Sequence, residues 1–237
     1  DGTAETNITR QTATVDVDYA ATAIGWNGGI LNGIPILNNG IDDPQQWFDG
    51  TTKAAVAIKL QALTNWPANT KAKVIRIFKQ YIVALDVSKI GVRDPLLVKW
   101  SQAAPIAGIP ADWTGTPASS DSGEYPLAET QDFLIDCLPL RDVNIVYKEK
   151  STYGMQYLGG ASVFRFWSIF RDKGILTRNC VREIKGKHIV ATQDDLILHD
   201  GQNWESVLTA RMRKKIFETD MDSMYYERSF MVSYPEL

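Results

Sequence analysis

The sequence predicts an all-β fold built from antiparallel, β-propeller-like blades. The first observation is a repeated strand–turn–strand pattern, in which apolar and polar residues alternate on both sides of a short polar turn. The second is the spacing of the turns, which recur at intervals of roughly 47, 69 and 37 residues, close on average to the 40–50 residues of a propeller blade. The turns lie near Gly33, Lys79, Glu149 and Gly186.

A third observation comes from the segment that follows each hairpin. Three of these segments end in tryptophan, and we expect Trp47, Trp100 and Trp167 to occupy comparable positions in their blades. The fourth segment ends in His199. Because neighbouring blades pack on one another through equivalent positions, a recurring aromatic residue at one strand end favours the propeller. The alternative is an antiparallel sandwich with regular hairpins.

The remaining elements interrupt or flank the hairpins. Residues 101–125 are rich in Pro, Gly, Ser and Ala, which predicts a loop insertion that lengthens one interval. Residues 203–217 predict an amphipathic helix that covers a nearby blade, and 51–63 suggest a second helix. Residues 1–20 are interpreted as an N-terminal arm. The apolar stripe of the first helix consists of Trp204, Val207, Leu208 and Met212.

The chain has enough apolar material for one large or two small domains, with 237 residues of which 44% are hydrophobic. We expect one propeller-like domain over residues 1–237, or the larger part of one. The first residue is Asp1, and the last residues read as a strand that stops abruptly, so we expect a longer parent chain. No run of about 18 apolar residues occurs, so no membrane span is predicted.

Charge and cysteine content argue against several classes of protein. The formal net charge is −3, whereas a dedicated nucleic-acid binder normally presents a basic face. Residues 1–50 contain seven acidic groups and one basic group, Arg10, which predicts an acidic patch. Cys137 and Cys180 lie far apart and are interpreted as reduced, buried thiols. No zinc-ligand set or dinucleotide motif is present, so we expect no cofactor.

Both histidines lie in one short stretch, residues 185–201. If Gln193 and Asp194 form a two-residue turn, His188 faces His199 across two paired strands, with Asp195 as the candidate third metal ligand. The alternative, which we favour, is a pair of partly exposed strand histidines without a metal. Asp194 and Asp195 point to opposite faces of a strand, so they do not form the carboxylate pair of a glycosidase. We therefore expect no catalytic residue and no enzymatic activity.

The predicted helix ends in a basic run that is a candidate partner-contact surface. Arg211, Arg213, Lys214 and Lys215 could contact phosphate or an acidic protein surface. Alternatively, these cations are placed in the last turns because the helix dipole favours positive charge there.

Three stretches together resemble a known family. Residues 141–160, 162–181 and 184–201 (RDVNIVYKEKSTYGMQYLGG, SVFRFWSIFRDKGILTRNCV and IKGKHIVATQDDLILHDG) are similar to the β-propeller region of tail nozzle-like virion proteins of short-tailed bacteriophages. The segments KVIRIFKQYIVALDV, VKWSQAAP and SGEYPLAET fit the same pattern, so the resemblance covers roughly residues 25–237.

The resemblance implies a structural virion protein of the tail, assembled in the cytoplasm of the bacterial host. Such a subunit would form a ring, expected to be a homohexamer, below the portal and adaptor, and would contact the adaptor, tail fibre or other tail proteins. The ring would enclose the channel of DNA ejection without binding DNA specifically. Two other functions stay open: a tail-associated enzyme that degrades glycan, and a propeller that binds glycan or a receptor through exposed aromatic residues.

Overall fold

The computed structural model describes residues 7–20, 25–53, 58–116, 119–160 and 162–233. It is all-β, with 43% strand and 8% helix, and its described strands form five antiparallel sheets. The predicted antiparallel all-β class is therefore confirmed. The chain divides into two compact units, residues 1–126 and 127–237. A single domain over the whole chain stays a prediction.

The first unit begins with a small hairpin and continues into two four-stranded sheets. The hairpin pairs β1 (Gln11–Thr12) with β2 (Val15–Asp16). Sheet 1 contains β3 (Asn27–Leu31), β4 (Ile34–Asn38), β5 (Gln45–Gln46) and β6 (Gln61–Ala62). Sheet 2 contains β7 (Thr70–Phe78), β8 (Tyr81–Lys89), β9 (Val92–Trp100) and β10 (Gly123–Pro126). A buried aliphatic core fills this unit, with Trp113 packed edge-on against Trp66.

The second unit holds two more four-stranded sheets and the helical segments. Sheet 3 contains β11 (Leu134–Leu140), β12 (Val143–Lys148), β13 (Thr152–Tyr157) and β14 (Phe164–Phe170). Sheet 4 contains β15 (Val181–Ile184), β16 (Lys187–Ala191), β17 (Leu196–His199) and β18 (Trp204–Ser206). The α-helix α1 (Ala210–Arg213), a π-helical segment (Lys214–Asp220) and a 3₁₀ helix (Ser223–Arg228) follow.

All four large sheets share one plan. In each, four consecutive strands pair in chain order, and the first hairpin closes on a two-residue turn. The first turn residue has a positive φ between 51° and 56° in every case. This left-handed backbone matches the right-handed twist of the flanking strands. The four equivalent residues are Asn32, Lys79, Arg141 and Lys185.

The third repeat begins earlier than the sequence predicts. Glu149 lies in the connection between the second and third strands of sheet 3, and the turn equivalent to those of the other sheets is at Arg141. The first strand, β11, is not predicted from the sequence because it contains Pro139. Proline lacks a backbone N–H and therefore argues against a strand. The residue is tolerated because β11 is an edge strand of its sheet.

This shift also changes the tryptophan pattern. Trp47 directly follows the third strand of sheet 1 and Trp100 ends the third strand of sheet 2, whereas Trp167 lies within the fourth strand of sheet 3. The expectation that the three residues occupy comparable positions is therefore wrong for Trp167. His199 does end the third strand of sheet 4.

The helix expected over 203–217 is also corrected. Trp204–Ser206 is the fourth strand of sheet 4, because it pairs with β17 after a tight turn, and helix begins only after Thr209. The side chain of Thr209 caps α1 by accepting a hydrogen bond from the Met212 backbone N–H at 3.4 Å. Trp204, Val207 and Met212 are 40–49% exposed, so the expected stripe does not cover a blade.

Two further segments differ from expectation. The insertion at 101–125 is irregular over its described part, but its last residues, 123–125, belong to β10 and complete sheet 2. The suggested helix at 51–63 is not helical in its described portions. There, Lys53 forms an isolated antiparallel β-bridge with Phe48, and Gln61–Ala62 is β6. Residues 54–57 of that prediction lie outside the described residues.

Candidate functional site

The predicted histidine pair is present, with the predicted register. Thr192 donates its backbone N–H to Asp195 across the turn at 2.8 Å, and His188 lies directly opposite His199 on β16 and β17. The two ring centroids are 5.5 Å apart. The side chains are 0% and 1% exposed, so the expectation of partly exposed histidines is wrong. Both rings point into the space between sheets 3 and 4.

A tyrosine that the sequence analysis missed joins the two rings. Tyr147, on β12 of sheet 3, places its hydroxyl 2.7 Å from His188 Nδ1 and 2.7 Å from His199 Nε2. His188 Nε2 lies 3.0 Å from the carbonyl of Pro139, and His199 Nδ1 accepts the Gly201 backbone N–H at 3.1 Å. We name these three side chains the His–Tyr–His cluster. It connects β12 with β16 and β17.

The direction of every hydrogen bond in the cluster follows from the backbone groups at its two ends, the Gly201 N–H and the Pro139 carbonyl. His199 Nδ1 accepts from Gly201, so the proton of this neutral imidazole is on Nε2 and is donated to Tyr147. Tyr147 then donates its own proton to His188 Nδ1. His188 carries its proton on Nε2 and donates it to Pro139. Both imidazoles are thus neutral, and each ring nitrogen has one partner.

Burial makes this neutral state strongly preferred. Burial lowers the pKa of His188 to about 4, although the hydrogen bond to the Pro139 carbonyl acts in the opposite direction. Burial, and then the proximity of His188, lowers the pKa of His199 to about 4. Burial also raises the pKa of Tyr147 well above its usual value. The cluster therefore acts as a neutral polar contact between sheets at physiological pH.

Asp195 does not complete a metal site with the histidines. One of its carboxylate oxygens accepts the Leu196 N–H and the Ser206 hydroxyl, and the other accepts Arg213 at 3.1 Å. Among the residues that the structure describes, no group of three acidic, histidine or cysteine side chains is arranged to hold a metal. The absence of a metal and of a catalytic residue stays a prediction.

The basic run divides into one anchored residue and three exposed ones. Arg213 binds Asp195, whose side chain is 1% exposed, and so ties the helical segment to sheet 4. Arg211, Lys214 and Lys215 are exposed, and within the described ranges they form no ion pair. Of the four candidate contact residues, these three are therefore the ones available to a partner.

Lys148 is another buried charged residue of this unit. Its ammonium group is 0% exposed and donates to the carbonyls of Leu127 and Thr130 at 2.9 and 2.7 Å, and to the Thr130 hydroxyl at 2.8 Å. Asp132 lies 3.5 Å away. Burial lowers the pKa of Lys148, and Asp132 opposes that shift. All three donors have partners, which indicates a structural role.

A groove opens beside the His–Tyr–His cluster, between sheet 3 and the turn that joins β17 to β18. Its volume is about 320 Å³, which is within the usual range for a small-molecule site. Both apolar and polar residues line it. The apolar ones are Leu140, Val143, Ile145, Trp167 and Ile169, and the others are Arg141, Asp142, Asp200, Gly201 and Gln202.

Comparison with known proteins adds no identification. No protein-family model matches this chain, and no curated protein matches it significantly. Within the described residues, no helix is long and apolar enough to cross a membrane.

Proposed function

We propose that this chain is a structural subunit of a bacteriophage tail, in a nozzle-like ring below the portal and adaptor. The observation that carries the proposal is the repeat of four successive four-stranded meanders, each opening on an equivalent left-handed turn. A four-stranded antiparallel meander is the unit of a β-propeller blade. The repeat supports the propeller to which the sequence resemblance points.

The use of buried polar groups supports a structural role. Asp86 is 2% exposed and is held by two hydrogen bonds from Arg93, while Asp195 is held by Arg213 and Ser206. Lys148 and the His–Tyr–His cluster likewise bind neighbouring segments of the backbone or other elements. Polar side chains that are hydrogen-bonded in this way join elements to one another, and fewer of them remain to bind or react with a substrate.

The charge supports a conduit for DNA. A channel wall with a net negative charge repels phosphate, so DNA slides past without being retained. We expect fluorescence anisotropy with a short DNA duplex to show no binding at physiological salt. Tight, salt-dependent binding would contradict this part of the proposal.

The ring is tested by measuring mass and shape on the purified chain. A homohexamer of the 26.5 kDa chain has a mass of about 159 kDa, six times that of the monomer. We expect light scattering coupled to size exclusion to give a multiple of the chain mass, and negative-stain images to show rings with a central hole. A strictly monomeric protein at high concentration would contradict the ring.

Location in the virion is a separate test. We expect mass spectrometry of purified particles to detect the chain, and a map of the tail to contain it at the nozzle. If the protein is instead present only in infected cells and absent from particles, the structural role is wrong. A hydrolase assay on capsule and cell-wall glycan addresses the enzymatic alternative, for which we expect no release of reducing ends.

A further inference from the structure

We propose that residues 207–233, here called the exposed segment, dock on a second copy of this chain. The surface that receives them is formed by the β1–β2 hairpin, Trp26 and residues 39–43, and is here called the hairpin surface. This contact rests on the proposed function, because it supplies the interface between neighbouring subunits of the ring. Uncovered apolar side chains on both sides and opposite net charges point to it.

The exposed segment is folded but has no core of its own. Its three helical elements, residues 210–228, contain no buried residue. Two polar contacts join the segment to the rest of its unit: the ion pair between Arg213 and Asp195, and a hydrogen bond from the Met231 N–H to the Asn179 carbonyl at 2.8 Å. Short helices gain most of their stability by packing apolar side chains on another surface. The segment therefore lacks the covering surface that such helices need.

Large apolar side chains of the exposed segment face solvent in this chain. Met224 is 78% exposed, Phe230 is 70% exposed and Val232 is 67% exposed. Met212, in α1, is 49% exposed. Large apolar groups left uncovered along one short segment are typical of a surface that another protein covers.

The hairpin surface carries uncovered apolar side chains as well. Val15 of β2 is 66% exposed, Ile41 is 46% exposed and Trp26 is 40% exposed. Both surfaces are therefore open in the single chain, and each is available to another copy.

Arg10 and Tyr19 join the parts of the hairpin surface to one another. The Arg10 guanidinium donates to the Asp18 carbonyl at 2.8 Å and to the Asp42 carboxylate at 3.1 Å. The Tyr19 ring packs edge-on against Trp26, with the ring centroids 4.8 Å apart. The hairpin, the residue that precedes β3 and the 39–43 segment thus form one continuous surface.

The two surfaces carry opposite net charge. Residues 210–217 of the exposed segment contain four cations and no carboxylate. The hairpin surface has four carboxylates, at positions 16, 18, 42 and 43, and three cations pair with three of them. The fourth, Asp18, is exposed and forms no ion pair with any residue that the structure describes. Complementary charge favours this pairing, and a contact between two different surfaces of identical chains is the heterologous kind that closes a ring.

Two variants test the two sides of the contact. The segment variant carries Met224→Asp with Phe230→Asp, and the hairpin variant carries Val15→Asp with Ile41→Asp. Light scattering should show each variant alone as a monomer at concentrations where the unaltered chain assembles, because every contact loses one side. An equal mixture should give a heterodimer of about 53 kDa, twice the 26.5 kDa chain, and nothing larger, because one intact contact remains.

Ile90→Asp with Ile106→Asp is the matched control. It makes the same change in net charge at two side chains that are 83% and 91% exposed, and should assemble like the unaltered chain. Should a test variant fail to fold, hydrogen exchange of the unaltered chain gives the same answer. As the concentration rises through assembly, amides of residues 210–228 and 11–16 should together become at least about tenfold slower to exchange.

The contact is overturned if either test variant assembles normally, if the control is equally defective, or if the mixture gives no heterodimer. It is also overturned if assembly protects other amides and not these. The closed ring fails separately: if the unaltered chain forms open filaments and the mixed variants still form the heterodimer, the ring is wrong and the contact stands. An unaltered chain that is monomeric at every concentration overturns both.

Discussion

On the scale of single residues, the His–Tyr–His cluster accommodates a single arrangement of its protons. An added proton on His199 would have to sit on Nδ1, where the Gly201 N–H already points. An added proton on His188 would place two donors on the Tyr147 oxygen and leave the phenol proton without an acceptor. The cluster is therefore stable in one protonation state, in which both rings are neutral.

The first prediction is a pH dependence of folding. Each histidine has a pKa of about 4 in the folded protein and about 6.5 when unfolded, so the unfolded chain binds more protons between these values. The contribution to stability is complete above pH 6.5 and is lost as the pH falls toward 4. The loss is on the order of 3 kcal/mol per histidine.

Carbon-edited NMR measures this directly, because the chain has only two histidines and gives two Cε1–H signals. We expect neither signal to titrate between pH 8 and 5.5 in the folded protein. A midpoint near 6.5 for either ring would show that the ring is solvated, and the cluster as described would then be wrong.

The second prediction concerns the phenol. Tyr147→Phe leaves His188 Nδ1 without its donor and His199 Nε2 without its acceptor, and should lower the free energy of unfolding by roughly 2–4 kcal/mol. Tyr153→Phe is a matched control, since Tyr153 is also 1% exposed but, among the described residues, its hydroxyl contacts a single partner, the Thr130 hydroxyl, which also binds Lys148. Urea unfolding at pH 7 should show the larger loss for Tyr147→Phe; equal losses would contradict the bridging role.

The same contacts revise one expectation about the histidines. From sequence, His188→Ala with His199→Ala is expected to leave assembly largely intact. Because both rings are buried, the double substitution would leave a cavity between the sheets and a phenol without partners. We now expect it to destabilise the subunit strongly, whatever its effect on assembly.

On the scale of elements, each four-stranded sheet is completed by a strand that the sequence pattern hides. In sheet 2 the hidden strand is β10, at the end of a long insertion, and in sheet 4 it is β18. Both strands pair with the edge of a sheet through backbone hydrogen bonds. The unpaired backbone groups of that edge favour strand formation even where the side chains do not alternate between apolar and polar. The helical segment that follows β18 is joined to sheet 4 by the ion pair between Arg213 and Asp195.

The third prediction tests that ion pair. Arg213→Ala removes the cation that holds buried Asp195, so the segment 209–221 should open more often. We expect hydrogen exchange of its amides to rise by about tenfold. Arg211→Ala, which alters an exposed neighbour in the same helix, should leave exchange unchanged. If both variants exchange alike, Arg213 does not anchor the segment.

On the scale of the whole molecule, the two compact units are built from the same repeated sheet. The chain combines an acidic surplus in residues 1–50 with exposed cations at Arg211, Lys214 and Lys215. In a ring the two sides of an interface differ, so a basic patch on one subunit can face an acidic patch on the next. Single exposed pairs contribute only about 0–1 kcal/mol, but a ring repeats each of them.

The fourth prediction follows from this complementarity. Arg211→Glu with Lys215→Glu should weaken ring assembly more than it lowers the melting temperature of the isolated subunit. Lys150→Glu with Lys185→Glu reverses two other exposed cations and serves as the control for net charge. Mass by light scattering across a dilution series gives the readout. Normal assembly of the first variant, or equal weakening in both, would contradict a contact through the basic run.

The all-β class and the histidine register could be predicted from the sequence, because both depend on local rules. Alternation over a few residues specifies a strand, and a two-residue turn sets which residues face each other, as it does for His188 and His199. The turns near Gly33, Lys79 and Gly186 follow from the same local signals.

The tertiary structure alone decided the features that depend on distant residues. Tyr147 is 41 residues from His188, and no local pattern indicates that its hydroxyl lies between two imidazoles of another sheet. Trp204 lies in a segment of good helix formers, yet it forms a strand because it pairs with the open edge of β17. Burial of the histidines was missed for the same reason: polarity is read residue by residue, whereas the cost of burying a polar group depends on the partners that the fold brings to it.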